Sequence, residues 1–148
     1  MSHLLRIIMI NGHLEGVIEL ALDGHTNICG TNASGKTTLQ RLIPVFYGER
    51  PNNVVPKTRK KFDQFYLPHS DSYLIYEYRR EAGTVCQVTI TRKKEEGVSY
   101  RFINSAYAPE QYLRTNAKGQ AQALSYQEFT AQLRQNKVEH SNRISTIH

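Results

Sequence analysis

The stretch Gly30-Thr31-Asn32-Ala33-Ser34-Gly35-Lys36-Thr37 matches the phosphate-binding pattern G-x-x-x-x-G-K-[ST] at every fixed position. Gly30 and Gly35 permit backbone angles at which successive N–H groups point inward around a phosphate. In loops of this pattern Lys36 would reach the β- and γ-phosphates, and the Thr37 hydroxyl would be a ligand for Mg²⁺. The stretch therefore predicts a nucleotide site with a magnesium ion. The predicted binding residues are Gly30, Thr31, Asn32, Ala33, Ser34, Gly35, Lys36, Thr37 and Thr38.

The residues on both sides of this stretch have the pattern that a phosphate-binding loop requires. Asn27-Ile28-Cys29 predicts a short buried strand that runs directly into the loop. After Lys36, apolar residues recur at helical spacing, which predicts a helix with one apolar face. Pro44 lies within this pattern, so we expect a kink or an early end of the helix near Ile43. The apolar face consists of Leu39, Leu42, Ile43 and Phe46.

Hydrophobic and β-branched residues predict further strands at 4–10, 17–22, 73–78, 85–91 and 98–103. Short linkers join the last three strands, so only antiparallel pairing is possible and we expect a β-meander. The tyrosines on these strands are expected in the core or in cross-strand pairs rather than stacked on bases. They are Tyr73, Tyr76, Tyr78 and Tyr100.

A capping-box signature precedes the last predicted helix. Ser125 and Glu128 have the spacing at which each side chain bonds the other residue's backbone N–H. The helix that they begin carries Tyr126, Phe129 and Leu133 on one face.

The size and composition of the chain bound its class. Its 148 residues correspond to one domain, and 39% hydrophobic with 22% charged residues excludes a disordered, collagen-like or coiled-coil chain. Cys29 and Cys86 cannot form a disulfide framework for a chain of this length. Arg6 interrupts the amino-terminal apolar run, and no stretch approaches the length of a membrane span. We therefore expect a cytoplasmic protein without a membrane partner.

The excess of positive charge favours a polyanionic partner. Lys and Arg number 19 against 13 Asp and Glu, a net charge of +6. Part of this excess lies in the Pro-rich connection 49–72, which is longer than most loops. Two interpretations stay open for it, a contact with nucleic-acid phosphates and a solvated charge cluster. The residues of this basic cluster are Lys57, Arg59, Lys60 and Lys61.

Residues for hydrolysis are not evident. An NTPase needs an acidic residue after an apolar strand downstream of the loop, and only Glu77 approximates that position. It lies in the predicted meander, where an outward-facing strand residue is the favoured interpretation. Asp23 follows an apolar strand but precedes the loop. The guanine-specificity pattern N-K-x-D is absent, because Asn136-Lys137 is followed by Val138-Glu139.

The first third of the chain resembles the amino-terminal ATPase head of the SMC/RecF/RecN class, ABC-type ATPases of DNA repair, chromosome organisation and phage defence. Two positions depart from the pattern of that class. Ala33 replaces its usual second glycine, and Gly12 replaces a common aromatic residue after Asn11. The resemblance is carried by residues 4–10, Asn11, 18–20, Gly24, Ile28, Gly30, Asn32, 34–39, Ile43, Phe46 and Gly48.

This resemblance implies that ATP and Mg²⁺ are the ligands, with DNA as a further partner. In such heads the signature motif, the acidic residues and a switch histidine lie in a carboxy-terminal lobe beyond a coiled coil. Hydrolysis is then expected only when that missing lobe, or a second head, completes the site. The region after the first helix lies near the DNA-facing side of such heads, so the resemblance also favours the DNA interpretation of the basic cluster.

The expected fold class is α/β, a P-loop NTPase half-head built as strand, P-loop and helix, with an antiparallel β-meander subdomain. The whole chain 1–148 would be one amino-terminal ATP-binding lobe. Its parts are 1–48 with the first strands, P-loop and first helix; 49–72, the basic connection; 73–103, the meander; and 104–148, a loop and a helix.

Two other function classes compete with this interpretation. A compact P-loop kinase or GTPase would transfer phosphate to a small substrate or hydrolyse GTP. A basic DNA-binding module with an incidental Gly-rich loop would bind DNA without nucleotide and would be indifferent to changes at Lys36.

Overall fold

Strands are the main regular elements of the computed structural model, which describes residues 3–11, 17–21, 26–28, 39, 42–46, 66–67, 72–92, 98–119, 121–138 and 140. The helices with described bounds are α1 (Ile43–Phe46) and α2 (Tyr126–Gln135), and Pro109–Gln111 forms a 3₁₀ turn. The strands are β1 (His3–Ile10), β2 (Val17–Ala21), β3 (Thr26–Ile28), β4 (Tyr73–Arg79), β5 (Val85–Arg92), β6 (Val98–Ile103), β7 (Leu113–Thr115) and β8 (Ala121–Ala123).

Six strands form one sheet in the order β3-β2-β1-β4-β5-β6, and every pairing in it is antiparallel. The three predicted meander strands pair in sequence order, as their short linkers require. Gly83 closes the β4–β5 turn at φ 93°, a backbone angle that side chains disfavour. β1 lies at the centre and pairs with β4, with Ile8 opposite Ile75. The strands before and after the basic connection therefore share one sheet.

The α/β prediction is wrong for this structure. Among the described residues all sheet pairings are antiparallel. The helices with described bounds are the four-residue α1 and the ten-residue α2, and Leu39 and Tyr66 are helical as well. No strand–P-loop–helix unit is shown in these ranges, and the meander is continuous with β1 rather than a separate subdomain. The physical reason is connectivity. A parallel pair needs a long crossover, whereas β1–β2, β4–β5 and β5–β6 are joined by short hairpin connections.

Both faces of this sheet are buried. The first face carries Ile7 and Met9 of β1 with Leu74 and Tyr76 of β4, and it packs against residues from the chain between β3 and β4. These covering residues are Leu39, Leu42, Ile43, Phe46, Tyr66 and Leu67. In an antiparallel sheet the apolar residues of a strand commonly face the core and the alternating polar residues face water. In this sheet the face that carries the polar residues is covered as well.

The second face carries Ile8 and Ile10 of β1 with Tyr73 and Ile75 of β4. A layer formed by the 3₁₀ turn, β7, β8 and α2 covers it, mainly through aromatic rings. Tyr112 stacks on Phe129 with ring centroids 4.7 Å apart, and Tyr73 meets both rings edge-on. The residues of this layer in the core are Tyr107, Tyr112, Ala123, Leu124, Phe129 and Leu133.

α2 confirms the capping-box prediction. The Ser125 side chain accepts a hydrogen bond from the Glu128 N–H, and the Glu128 carboxylate accepts one from the Ser125 N–H, both at 3.2 Å. Phe129 and Leu133 are buried against the second face, while Tyr126 is partly buried beside them. The cap and the apolar stripe together define where this helix begins and which side it buries.

Candidate functional site

The predicted phosphate-binding residues Gly30, Thr31, Asn32, Ala33, Ser34, Gly35, Lys36, Thr37 and Thr38 lie outside the described residues. Both neighbours of this stretch are described. Before it, β3 pairs with β2 and ends at Ile28, opposite Ile18. After it, Leu39 has no exposed surface and belongs to the core of the first face. The candidate loop is therefore bounded by a paired strand and by a core residue.

The segment after the loop packs on the first face as its apolar spacing predicts. Leu39 and Leu42 are fully buried, and Ile43 and Phe46 are partly buried against the same core. The Phe46 ring lies 5.7 Å from the ring of Tyr76 and 5.5 Å from that of Tyr78. Pro44 lies in the first turn of α1, where its missing N–H leaves no helical hydrogen bond unmade.

One polar contact joins this segment to β4. The Tyr76 hydroxyl donates to the Leu42 carbonyl at 2.7 Å, and both residues are buried. Burial raises the pKa of Tyr76 well above its usual value, so the hydroxyl stays a donor at neutral pH. The buried positions of Tyr73 and Tyr76 confirm the core interpretation for these two tyrosines. Tyr78 and Tyr100 are partly buried and pack against the core of the first face.

Glu77, the acidic residue nearest to the position that hydrolysis requires, is part of a partly buried ion pair. It lies opposite Arg6 in the β1–β4 pairing and is 5% exposed. Arg6 donates to both oxygens of its carboxylate, from Nε at 2.6 Å and from Nη2 at 3.1 Å. The Tyr107 N–H donates to Oε2 at 2.7 Å. The expectation of an outward-facing Glu77 is wrong, because the layer over the second face covers it.

A buried polar network on the second face was not foreseen from the sequence. Gln87 donates to Gln111 Oε1 at 2.8 Å and accepts from the Tyr112 hydroxyl at 2.6 Å. Since that hydroxyl has one proton, Thr89 Oγ1, 2.7 Å away, must donate to it. The signal in the sequence is the polar alternation Gln87, Thr89, Thr91 in β5, which is typical of a solvated face until a second layer is known to cover it.

The remaining predicted site residues are not brought together by the described part of the chain. Lys57, Arg59, Lys60 and Lys61 lie outside the described residues, and so does Cys29. Cys86 is buried with its thiol free of any disulfide. Within the described ranges no three His, Cys, Asp or Glu side chains converge on a metal position, and the predicted Mg²⁺ ligand Thr37 is outside those ranges.

Within the part of the chain that the structure describes, no helix has the length and apolar character that a bilayer crossing requires.

Comparison with known protein families gives a match over nearly the whole chain. Residues 8–147 match DUF3584, a family described as a protein of unknown function, and the chain belongs to this family. No curated protein and no solved structure matches the chain.

Proposed function

We propose that this chain binds Mg-ATP through residues 30–38 and is the amino-terminal lobe of an SMC/RecF/RecN-like ATPase. The observation that carries the proposal is the complete phosphate-binding pattern between two neighbours that belong to the sheet and to the core. β3 is paired in the sheet before it, and Leu39 is buried in the core after it. A loop whose ends are fixed loses less conformational freedom when it closes on a phosphate.

The donor set of the stretch fits a magnesium nucleotide. Lys36 supplies a positive charge for the β- and γ-phosphates, and the Thr37 hydroxyl supplies an oxygen ligand of the kind that Mg²⁺ prefers. The backbone N–H groups around Gly30 and Gly35 supply uncharged donors for the β-phosphate. ATP, rather than a nucleoside monophosphate, offers all of these groups a partner.

We also propose that hydrolysis needs a carboxylate from outside this chain. Glu77 is the acidic residue that follows an apolar strand downstream of the loop, and both of its oxygens are held by Arg6 and the Tyr107 N–H. A carboxylate held in this way cannot also orient and deprotonate a water without breaking the ion pair. A second lobe or a second head would supply the missing group.

DNA is the further partner of this proposal, through Lys57, Arg59, Lys60 and Lys61. Its support is the net charge of +6 and the position of the described residues on either side of the basic stretch. Phe46 and Tyr66 both pack at the core of the first face, which also contains Leu39. The described residues nearest to the carboxyl end of the phosphate-binding stretch and to both ends of the basic cluster thus pack in the same core.

Calorimetric titration with ATP, ADP and AMP tests the nucleotide proposal. With Mg²⁺ present we expect ATP and ADP to bind, and AMP to bind at least about tenfold more weakly because it lacks the β-phosphate. Thr37→Ala should weaken ATP binding only when Mg²⁺ is present. Equal affinity for AMP, or an equal loss for Thr37→Ala in EDTA, would contradict the assigned roles. Multiple turnover of ATP by the pure chain would contradict the need for an outside carboxylate.

A further inference from the structure

We propose that Tyr76 is a positioning residue for the phosphate-binding loop, an inference that rests on the proposed function. Its hydroxyl donates to the Leu42 carbonyl, and this hydrogen bond ties the segment after the loop to the central part of β4. Its role does not require contact with the nucleotide. It acts through the backbone that connects Leu42 to Lys36 and Thr37.

The connection between the anchor and the loop is short. The Leu42 N–H donates to the Leu39 carbonyl at 3.0 Å, so one hydrogen-bonded turn links the two residues. Leu39 follows Thr37 by two residues and Lys36 by three. Leu39 and Leu42 are both fully buried. A displacement of the Leu42 carbonyl must therefore also disturb the turn between Leu39 and Leu42, with which the segment begins.

Packing alone holds the ring of Tyr76 but does not select the position of the Leu42 backbone. The Phe46 and Tyr76 ring centroids lie 5.7 Å apart, and an apolar contact of this kind tolerates small shifts of one ring past the other. The hydrogen bond is directional and lies in a buried environment, where an unpaired carbonyl is costly. The hydroxyl therefore fixes the segment in one position before nucleotide binds, which reduces the ordering cost of binding.

Tyr76→Phe tests this role because it removes the hydroxyl and keeps the ring. Tyr73→Phe is the matched control. Tyr73 lies on the same strand but on the second face, and its hydroxyl donates to the Leu124 carbonyl at 2.6 Å in an equally buried setting. Each variant loses one buried tyrosine–carbonyl hydrogen bond, so a merely structural effect would be similar in both.

We expect both variants to lower the melting temperature by similar amounts, while only Tyr76→Phe weakens Mg-ATP binding, by about three- to tenfold. Equal Mg-ATP affinities for the two variants would overturn the inference. An unchanged ATP affinity of Lys36→Ala would overturn the proposed function and this inference with it. A weaker affinity of Lys36→Ala, together with equal affinities of the two tyrosine variants, would overturn this inference alone.

Hydrogen exchange of the unmodified chain gives a second readout that does not depend on the folding of a variant. Saturating Mg-ATP should slow amide exchange in residues 39–46 and leave residues 121–126, which contain the partner of Tyr73, unchanged. Unaltered exchange in residues 39–46, in a chain that binds Mg-ATP, would overturn the inference.

Discussion

Arg6 joins three parts of the molecule on the second face of the sheet. Its guanidinium donates to Glu77 on β4 and to Glu19 on β2, and it lies over the ring of Tyr107 at 5.1 Å. Hydrogen bonds to Glu77, and then to Glu19, raise the pKa of Arg6 above its usual value, so it remains charged. The Tyr107 N–H bonds the same Glu77 carboxylate, which fastens the covering layer to the sheet.

Glu77→Gln should destabilise the fold without affecting nucleotide binding. The variant keeps the side-chain volume but leaves Arg6 with Glu19 as its remaining anionic partner. We expect a loss of about 1–3 kcal/mol in the free energy of unfolding, less than for a fully buried pair, because the Arg6 side chain is 30% exposed. Urea denaturation measures the loss, and calorimetry should give an unchanged Mg-ATP affinity.

Arg114→Gln is the control for this prediction. Arg114 forms an ion pair with Glu128 in which both side chains are well exposed, so its loss should change stability much less. A Glu77→Gln variant as stable as the unmodified chain would contradict the structural role assigned to this carboxylate.

At the scale of elements, the amino end of α2 combines a cap with a charge. Hydrogen bonds lower the pKa of Glu128 below its usual value, first the one with the Ser125 backbone and then the one with the Ser125 side chain. The neighbouring Arg114 lowers this pKa further. The ionised carboxylate is thus favoured by folding. Its contribution is complete above the ordinary pKa of about 4.5 and is lost as the pH falls through the lowered value.

Glu128→Gln should therefore be more destabilising near neutral pH than in acid. The amide keeps an acceptor for the Ser125 N–H but removes the charge. We expect the difference in unfolding free energy between the two chains to shrink as the pH falls from about 6 to about 3. Urea denaturation across this range measures it, and a difference that does not vary with pH would contradict the assignment.

Elements with local signals were predictable from the sequence, and their long-range partners were not. The period-two pattern located β4, β5 and β6, and the capping box located α2, because both signals depend on neighbouring residues. The pairing of β1 with β4 depends on residues far apart in the chain, as between Ile8 and Ile75. The burial of Gln87 and Glu77 depends on a covering layer that follows them in sequence, so their roles could not be read locally.

At the scale of the whole molecule, one antiparallel sheet joins the strand before the phosphate-binding stretch to the residues after the basic connection. β3 and the meander occupy opposite ends of the strand order, with β1 between them. The α/β prediction followed from the loop pattern, which is a property of eight residues and does not determine how distant strands pair. The prediction of a nucleotide site does not depend on that fold class, and it stays a prediction.

The basic cluster should contribute a salt-dependent part of DNA binding. Replacing Lys57, Arg59, Lys60 and Lys61 by Gln should flatten the slope of log K against log salt on duplex DNA by roughly three units, because each neutralised phosphate contributes about −0.9. Fluorescence anisotropy at several salt concentrations measures the slope. ATP affinity should be unchanged.

A control with the same loss of charge separates a local contact from the overall charge of the protein. Arg79, Arg80, Lys118 and Arg134 are exposed in the described structure, and replacing them by Gln removes the same charge elsewhere. If both variants flatten the slope equally, or if neither does, the basic cluster is a solvated face rather than a DNA contact.

Lys36→Ala tests the central claim, that residues 30–38 bind the phosphates of ATP, most directly. Lys118→Ala is its control, because Lys118 is an exposed lysine in the turn between β7 and β8. Isothermal titration calorimetry should show Mg-ATP affinity reduced at least about tenfold by Lys36→Ala, about 1.4 kcal/mol or more, and unchanged by Lys118→Ala. An affinity of the Lys36→Ala variant within a factor of about two of the unmodified chain would contradict the claim.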